Sequence, residues 1–134
     1  MTPDELRSVP LFAQASDATL ERVAATAGEL RCEPGQIVAM EGDKGSGMFV
    51  ILDGTVAVEW RGGSTELEAG TFVGELALLA PGGSRNARVR AKTAVRCLAI
   101  GRDDAIALIE TEPTVALTML REVARRFASA LPDD

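Results

Sequence analysis

The spacing of apolar and polar residues changes character twice along the chain. Up to about Leu30 the pattern is helical: Ser16 is placed to cap a helix with Asp17 in its first turn, and Leu20, Val23, Ala24 and Ala27 then recur on one face. Ahead of it, Val9-Pro10-Leu11-Phe12 predicts a short apolar turn that docks on a core. From about Arg31 to Gly101 the apolar runs are short and separated by glycine-bearing turns, at Ile37–Met40, Met48–Leu52, Thr55–Trp60, Thr65–Glu68, Asn86–Ala91 and Ala94–Ile100. Asp53-Gly54 and Arg61-Gly62-Gly63-Ser64 each read as hairpin turns. Beyond Gly101 the helical period returns, in a short helix from Asp103 through Ile109 and a longer one opened by Pro113. In that last helix Ala116, Leu120, Val123, Phe127 and Ala130 form one apolar stripe, and Pro132-Asp133-Asp134 ends it.

Closely spaced strands with no helices between them predict an antiparallel architecture. The fold class is mainly β with flanking helices: an antiparallel β roll, jelly-roll-like or double-stranded β-helix, with an N-terminal helix and C-terminal lid helices. One domain over residues 1–134 is expected, with a helical segment at 1–30, the roll at 31–101 and C-terminal helices at 102–131.

Composition narrows the function. At 134 residues, 46% hydrophobic and 25% charged, the chain can bury a core without disulfides or metal. No apolar run approaches the length needed to span a bilayer, and Thr2-Pro3-Asp4-Glu5 has the wrong sign for a signal peptide, so no membrane association and a cytoplasmic location are expected. Cys32 and Cys97 lack any paired-motif spacing and read as two reduced, buried thiols. There is no histidine, which removes the usual general base and metal ligand; a Ser-His-Asp or Cys-His nucleophile cannot be assembled. The net charge of −6 opposes a phosphate backbone, so no direct nucleic-acid binding is expected.

One stretch breaks the strand rhythm. Gly70-Thr71-Phe72-Val73-Gly74 leads into Glu75–Leu79, long enough for one helical turn, and Pro81-Gly82-Gly83 then delivers Arg85 to the start of a strand. Unpaired N–H groups at a helix N-terminus attract an anion, Gly74 lets a ligand approach the backbone, and Arg85 brings a forked donor suited to phosphate. Alternation puts Arg85 on one face with Ala87, Val89 and Ala91, and Asn86, Arg88 and Arg90 on the other. The face with Val89 is the inner one, so Arg85 points inward and needs an anion, either Glu75 or a bound phosphate.

Order and spacing here resemble the phosphate-binding cassette, residues 74–87, of cyclic nucleotide-binding domains of the catabolite activator protein and protein kinase A regulatory-subunit type. Leu6–Phe12 looks like that family's opening segment; Pro34-Gly35, Glu41-Gly42-Asp43 and Met48–Gly54 match its early glycine pattern; Gly74–Leu79 and Arg85-Asn86-Ala87 match its cassette, and Val89–Ala94 continues like the family's bacterial regulators. The resemblance implies that Arg85 pairs with a cyclic phosphate, aided by backbone N–H groups near Leu76, Ala77 and Ala87. It implies that Glu75 accepts the ribose 2′-hydroxyl, that Gly74 lets the ribose lie against the chain, and that Arg126 of the lid sits near Glu75 and the nucleotide. Asn86, also within the expected ligand contacts, stands where Ser, Thr or Ala is common. No cofactor is implied; the ligand is cyclic AMP ahead of cyclic GMP.

Plainer readings stand beside these. Glu75 serves a helix dipole as readily, and Glu122, one turn before Arg126, accounts for both residues as an i,i+4 ion pair. Trp60 near a hairpin end reads as a packing residue. Three functions remain open: a stand-alone cyclic nucleotide receptor signalling through its lid helix to a protein partner or a second copy; an interaction module that keeps the fold without the ligand; and, with histidine absent, a metal-free cupin-like enzyme using Glu75 as base. Three residues follow Leu131, so no helix-turn-helix module is expected within this sequence, and output is expected through oligomerisation, a separate partner or a longer parent chain.

Overall fold

The computed structural model describes residues 1–39, 47–75, 79 and 87–132. Two four-stranded antiparallel sheets form a roll. The first has the order β1 (Gly28–Cys32), β8 (Val95–Gly101), β3 (Gly47–Asp53), β6 (Phe72–Val73). The second has the order β2 (Ile37–Ala39), β7 (Arg88–Ala91), β4 (Thr55–Trp60), β5 (Gly63–Glu68). This is the β roll expected from the sequence, with helices at both ends of the chain. Before the strands come α1 (Pro3–Arg7), a 3-10 turn (Pro10–Phe12) and α2 (Asp17–Thr26); after them come α3 (Arg102–Thr111) and α4 (Pro113–Ala130).

Alternation along β3 and β8 divides the core. Met48, Val50, Leu98 and Ile100 face the helices, joining Leu6, Leu11, Phe12, Leu20, Leu108, Val115 and Met119. Ile51, Val95 and Cys97 face the roll interior with Val56, Val73, Val89 and Ala91. The central strands are therefore buried on both sides. Ser16 caps α2 by accepting the N–H of Thr19, and Leu11 and Phe12 dock on the core as expected. Both cysteines are free and buried.

Three local expectations change. Strand structure starts at Gly28, before Arg31, and Phe72–Val73 is a short strand that two residues of pattern could not announce. Asp53-Gly54 is not a hairpin: β3 pairs with β6 and β8, and β4 with β5 and β7, so this turn is a corner carrying the chain between sheets. Gly54 is required there, with φ +91° and a Cβ position only 2.1 Å from the Ala94 carbonyl oxygen. Arg61-Gly62 is a true two-residue hairpin, with Trp60 opposite Gly63.

The third change concerns α4. Its core face carries Val115 and Met119, with Val123 packed against the same cluster, whereas Leu120 and Phe127 are 64% and 67% exposed. This helix has two apolar faces, and periodicity alone cannot choose between them. The choice is made at its root: Pro113 opens the helix, and Glu112, its cap residue, is 8% exposed and accepts from Ser16 through both the backbone N–H (2.9 Å) and the hydroxyl (2.7 Å). That attachment to α2 fixes the rotation of α4.

Candidate functional site

The site is built outward from β6. Phe72 is buried among the helices and Val73 inside the roll, so this two-residue strand is clamped on both faces. The chain leaves it through Gly74 in the left-handed region (φ +95°) and turns helical at Glu75. Glu75 is 7% exposed, one of three buried polar or charged residues among those described. A carboxylate in that setting requires a partner.

Arg126 supplies it. Met119 and Val123 turn one face of α4 to the core, and Arg126 continues that face beyond the apolar anchors. Its Nη1 donates to Glu75 Oε1 (2.9 Å), its Nε to Glu122 Oε1 (3.1 Å), and its Nη2 to Thr71 Oγ1 (2.8 Å) and the Phe72 carbonyl (2.6 Å). The guanidinium carbon also lies 4.8 Å from the centre of the Phe72 ring. Thr71 in turn donates to Glu122 Oε1 (3.3 Å). Hydrogen bonding from Arg125, offset in part by burial and reinforced by Arg126, holds the Glu122 carboxyl down at about 2. One side chain thus fastens α4 to β6 and to the start of the cassette.

Beside this clasp opens a cleft of about 680 Å³, within the size range of small-molecule sites. Val58, Leu67, Val73 and Val89 give it apolar walls, Gly74 and Glu75 one polar end, and Arg125, Arg126, Ser129 and Ala130 the side under α4. Trp60, Thr65 and Glu66 come from the β4–β5 hairpin. Ala87 and Val89 line the cleft while Arg88 and Arg90 pair outside with Glu59, which is the alternation expected for β7.

A family model described as the cyclic nucleotide-binding domain matches residues 29–112. The chain belongs to that family. A cyclic nucleotide-gated potassium channel of Rhizobium etli is 32% identical over 119 residues, covering 89% of this chain and 33% of the channel, so the chain spans about a third of that relative's length. The catabolite activator protein of Thermus thermophilus superposes with a TM-score of 0.70 at 28% identity, over 90% of this chain and 59% of that one. A regulatory subunit of a cAMP-independent protein kinase A from Trypanosoma brucei shares the fold, with a TM-score of 0.76 at 23% identity, over 97% of this chain and 50% of that one.

Within this cyclic nucleotide-binding domain, four of the expected ligand contacts lie together: Gly74, Glu75, Ala87 and Arg126 all line the one cleft. Leu76, Ala77, Arg85 and Asn86 lie outside the described residues. Arg126 makes both of the contacts weighed from sequence, the helical pair with Glu122 and the long-range pair with Glu75. Sequence reasoning missed Thr71 and the Phe72 carbonyl as its other anchors. A threonine ahead of an apolar pair gives no signal of that kind, and a backbone carbonyl has no residue type to read.

Proposed function

We propose that this domain is a receptor for a small cyclic nucleotide and signals through its C-terminal helix, without chemistry of its own. The observation that carries the reading is a buried carboxylate, Glu75, in a cleft walled by Val58, Leu67, Val73 and Val89 and tied directly to the helix that covers it. In this reading Arg85 pairs with the cyclic phosphate, helped by the backbone near Leu76, Ala77 and Ala87 and by Asn86. Glu75 accepts the ribose 2′-hydroxyl against Gly74, and Arg126 couples that event to the lid. Cyclic AMP is favoured over cyclic GMP, because guanine, with one exocyclic amine like adenine, adds a carbonyl and a ring N–H to desolvate against Val58, Leu67 and Val89. No helix among the described residues is long and apolar enough to cross a membrane, and the reading places this single domain in the cytoplasm.

The output partner in this reading is a second copy of the chain. Leu117, Leu120, Ala124, Phe127 and Leu131 all stand exposed on α4 or at its end, with successive spacings of three, four, three and four. That 3.5-residue period is the seam of a two-helix coil, and it lies on the helix the nucleotide would bias. Leu120→Glu should convert a sedimenting dimer to a monomer that keeps the wild-type circular dichroism spectrum and whose melting midpoint no longer depends on protein concentration; an unchanged sedimentation coefficient rejects this seam.

Titration calorimetry with cyclic AMP and cyclic GMP tests the receptor directly. Ligand at 100 times its dissociation constant should add about 2.7 kcal/mol of stability, and Arg85→Ala should cost about 2–5 kcal/mol of binding. Binding of wild-type strength in that variant removes the phosphate assignment. The absence of heat and of any thermal shift at millimolar nucleotide selects the second reading, a ligand-free interaction module.

A further inference from the structure

An exposed aromatic side chain, Trp60, lines the cleft. Trp60 is the only tryptophan in a chain without tyrosine. It closes β4, where alternation sets Val56, Val58 and Trp60 on one face. Exposure rises along that face: Val56 is fully buried, Val58 is partly buried and lines the cleft, and Trp60 lines its rim at 44% exposure. Across the hairpin stands Gly63, where a Cβ would come within 3.1–3.3 Å of three indole ring atoms. The glycine lets the ring settle against β5, in place of being pushed off it, and leaves much of its surface at the cleft mouth. The last turn of α4 contributes Ser129 and Ala130 to the same cleft.

We propose that Trp60 is the platform on which the purine base of the nucleotide stacks, so that this end of the cleft reads aromatic surface and not a hydrogen-bond pattern. The other groups there support such a division. The hydroxyls of Thr65 and Ser129 can each donate or accept, and so do not distinguish an amine from a carbonyl on the purine edge. Glu66 is engaged by Lys92 and Arg125 by Glu122, so the two charges at the rim already have partners. What remains for the base is an indole and apolar walls. Adenine and guanine then differ only through desolvation, whereas a single-ring pyrimidine loses stacked area. This inference rests on the cyclic nucleotide reading of the cleft and adds to it the element that selects the base.

Because Trp60 is alone, its emission reports the contact without a label. Wild-type protein is titrated with cyclic AMP, cyclic GMP and cyclic CMP, following indole fluorescence and calorimetric heat on the same samples. The expected result is a saturable change in emission with the purine nucleotides at the calorimetric dissociation constant, with cyclic CMP binding more weakly. Trp60→Ala should lose roughly 10- to 100-fold in affinity for the purine nucleotides, and less for cyclic CMP. Trp60→Phe should keep most of the affinity, and Trp60→Leu, which retains apolar bulk without a π face, should not. Melting curves of all three variants verify folding. Calorimetric binding with unchanged emission, or Trp60→Leu binding as well as Trp60→Phe, overturns the stacking role and leaves the receptor intact. Silence with every nucleotide in both measurements takes down the receptor and this inference together.

Discussion

Replacing Arg126 by alanine tests the clasp, because alanine suits a helix and the substitution removes the guanidinium together with the two methylenes that carry it. Among the described residues Arg126 is the cation paired with Glu75, and it is also a donor to the buried Phe72 carbonyl. Breaking a fully buried ion pair from one side costs about 3–5 kcal/mol. The Arg126 and Glu75 side chains are 21% and 9% exposed, so partial screening lowers the expected loss to about 2–3 kcal/mol. With an unfolding entropy of about 2.1 cal/mol/K per residue, the whole chain contributes about 0.28 kcal/mol/K, and the midpoint of a thermal melt should fall by about 7–11 °C. Differential scanning calorimetry at neutral pH measures this. Arg125→Ala serves as the control: its side chain is 61% exposed and its partner Glu122 keeps Arg126, so only a weak surface pair is lost and the midpoint should fall by no more than about 4 °C. Adding Glu75→Gln to the Arg126→Ala protein should restore part of the loss, because it removes the carboxylate left without its partner. A midpoint within about 2 °C of wild type for Arg126→Ala, or no recovery in the double variant, would refute the claim that Arg126 neutralises Glu75.

Other expectations rest on the same geometry. Glu75→Gln should weaken binding of cyclic AMP more than binding of its 2′-deoxy analogue, as read by calorimetry; equal losses would remove the ribose role. Glu122 is held down at about 2 from an ordinary value near 4.5, so its contribution is fully present above pH 4.5 and is lost as pH falls towards 2. Acid titration of stability should therefore show a steeper fall between these values in wild type than in Glu122→Gln. Gly54→Ala, which combines a left-handed backbone with a Cβ 2.1 Å from the Ala94 oxygen, should destabilise by at least about 2 kcal/mol in a urea melt.

Much of the fold was legible because its signals are local. Ser16 and Pro113 each act within a few residues and mark the element boundary expected of them, while the hairpin read over Arg61–Ser64 is present but tighter, with Gly63 and Ser64 already paired in β5. The period-2 pattern of β7 also placed Ala87 and Val89 in the cleft and Arg88 and Arg90 outside it. The failures concern partners distant in sequence. Asp53-Gly54 carries the composition of a hairpin, yet whether flanking strands pair with each other or with β6, β8, β5 and β7 is decided by the whole roll. The face of α4 that is buried depends on Glu112 meeting Ser16 across 96 residues. The candidate site divides in the same way: its residue types were readable as a motif, while the fourfold anchoring of Arg126 depends on where β6 ends beneath α4.

The uneven anchoring of α4 has an energetic consequence. Val115, Met119 and Val123 root its first three turns in the core, but past Val123 no residue of the helix is buried, and Arg126 makes the hydrogen bonds that tie this portion down. The outer portion therefore behaves as a lever bolted at one point, and the bolt is worth only a few RT. At about 2–3 kcal/mol, roughly one molecule in a hundred has the lever free at any instant. In the proposed receptor, a ligand at Glu75 need not unfold anything to be felt at the far end; it has only to compete with one guanidinium for that carboxylate.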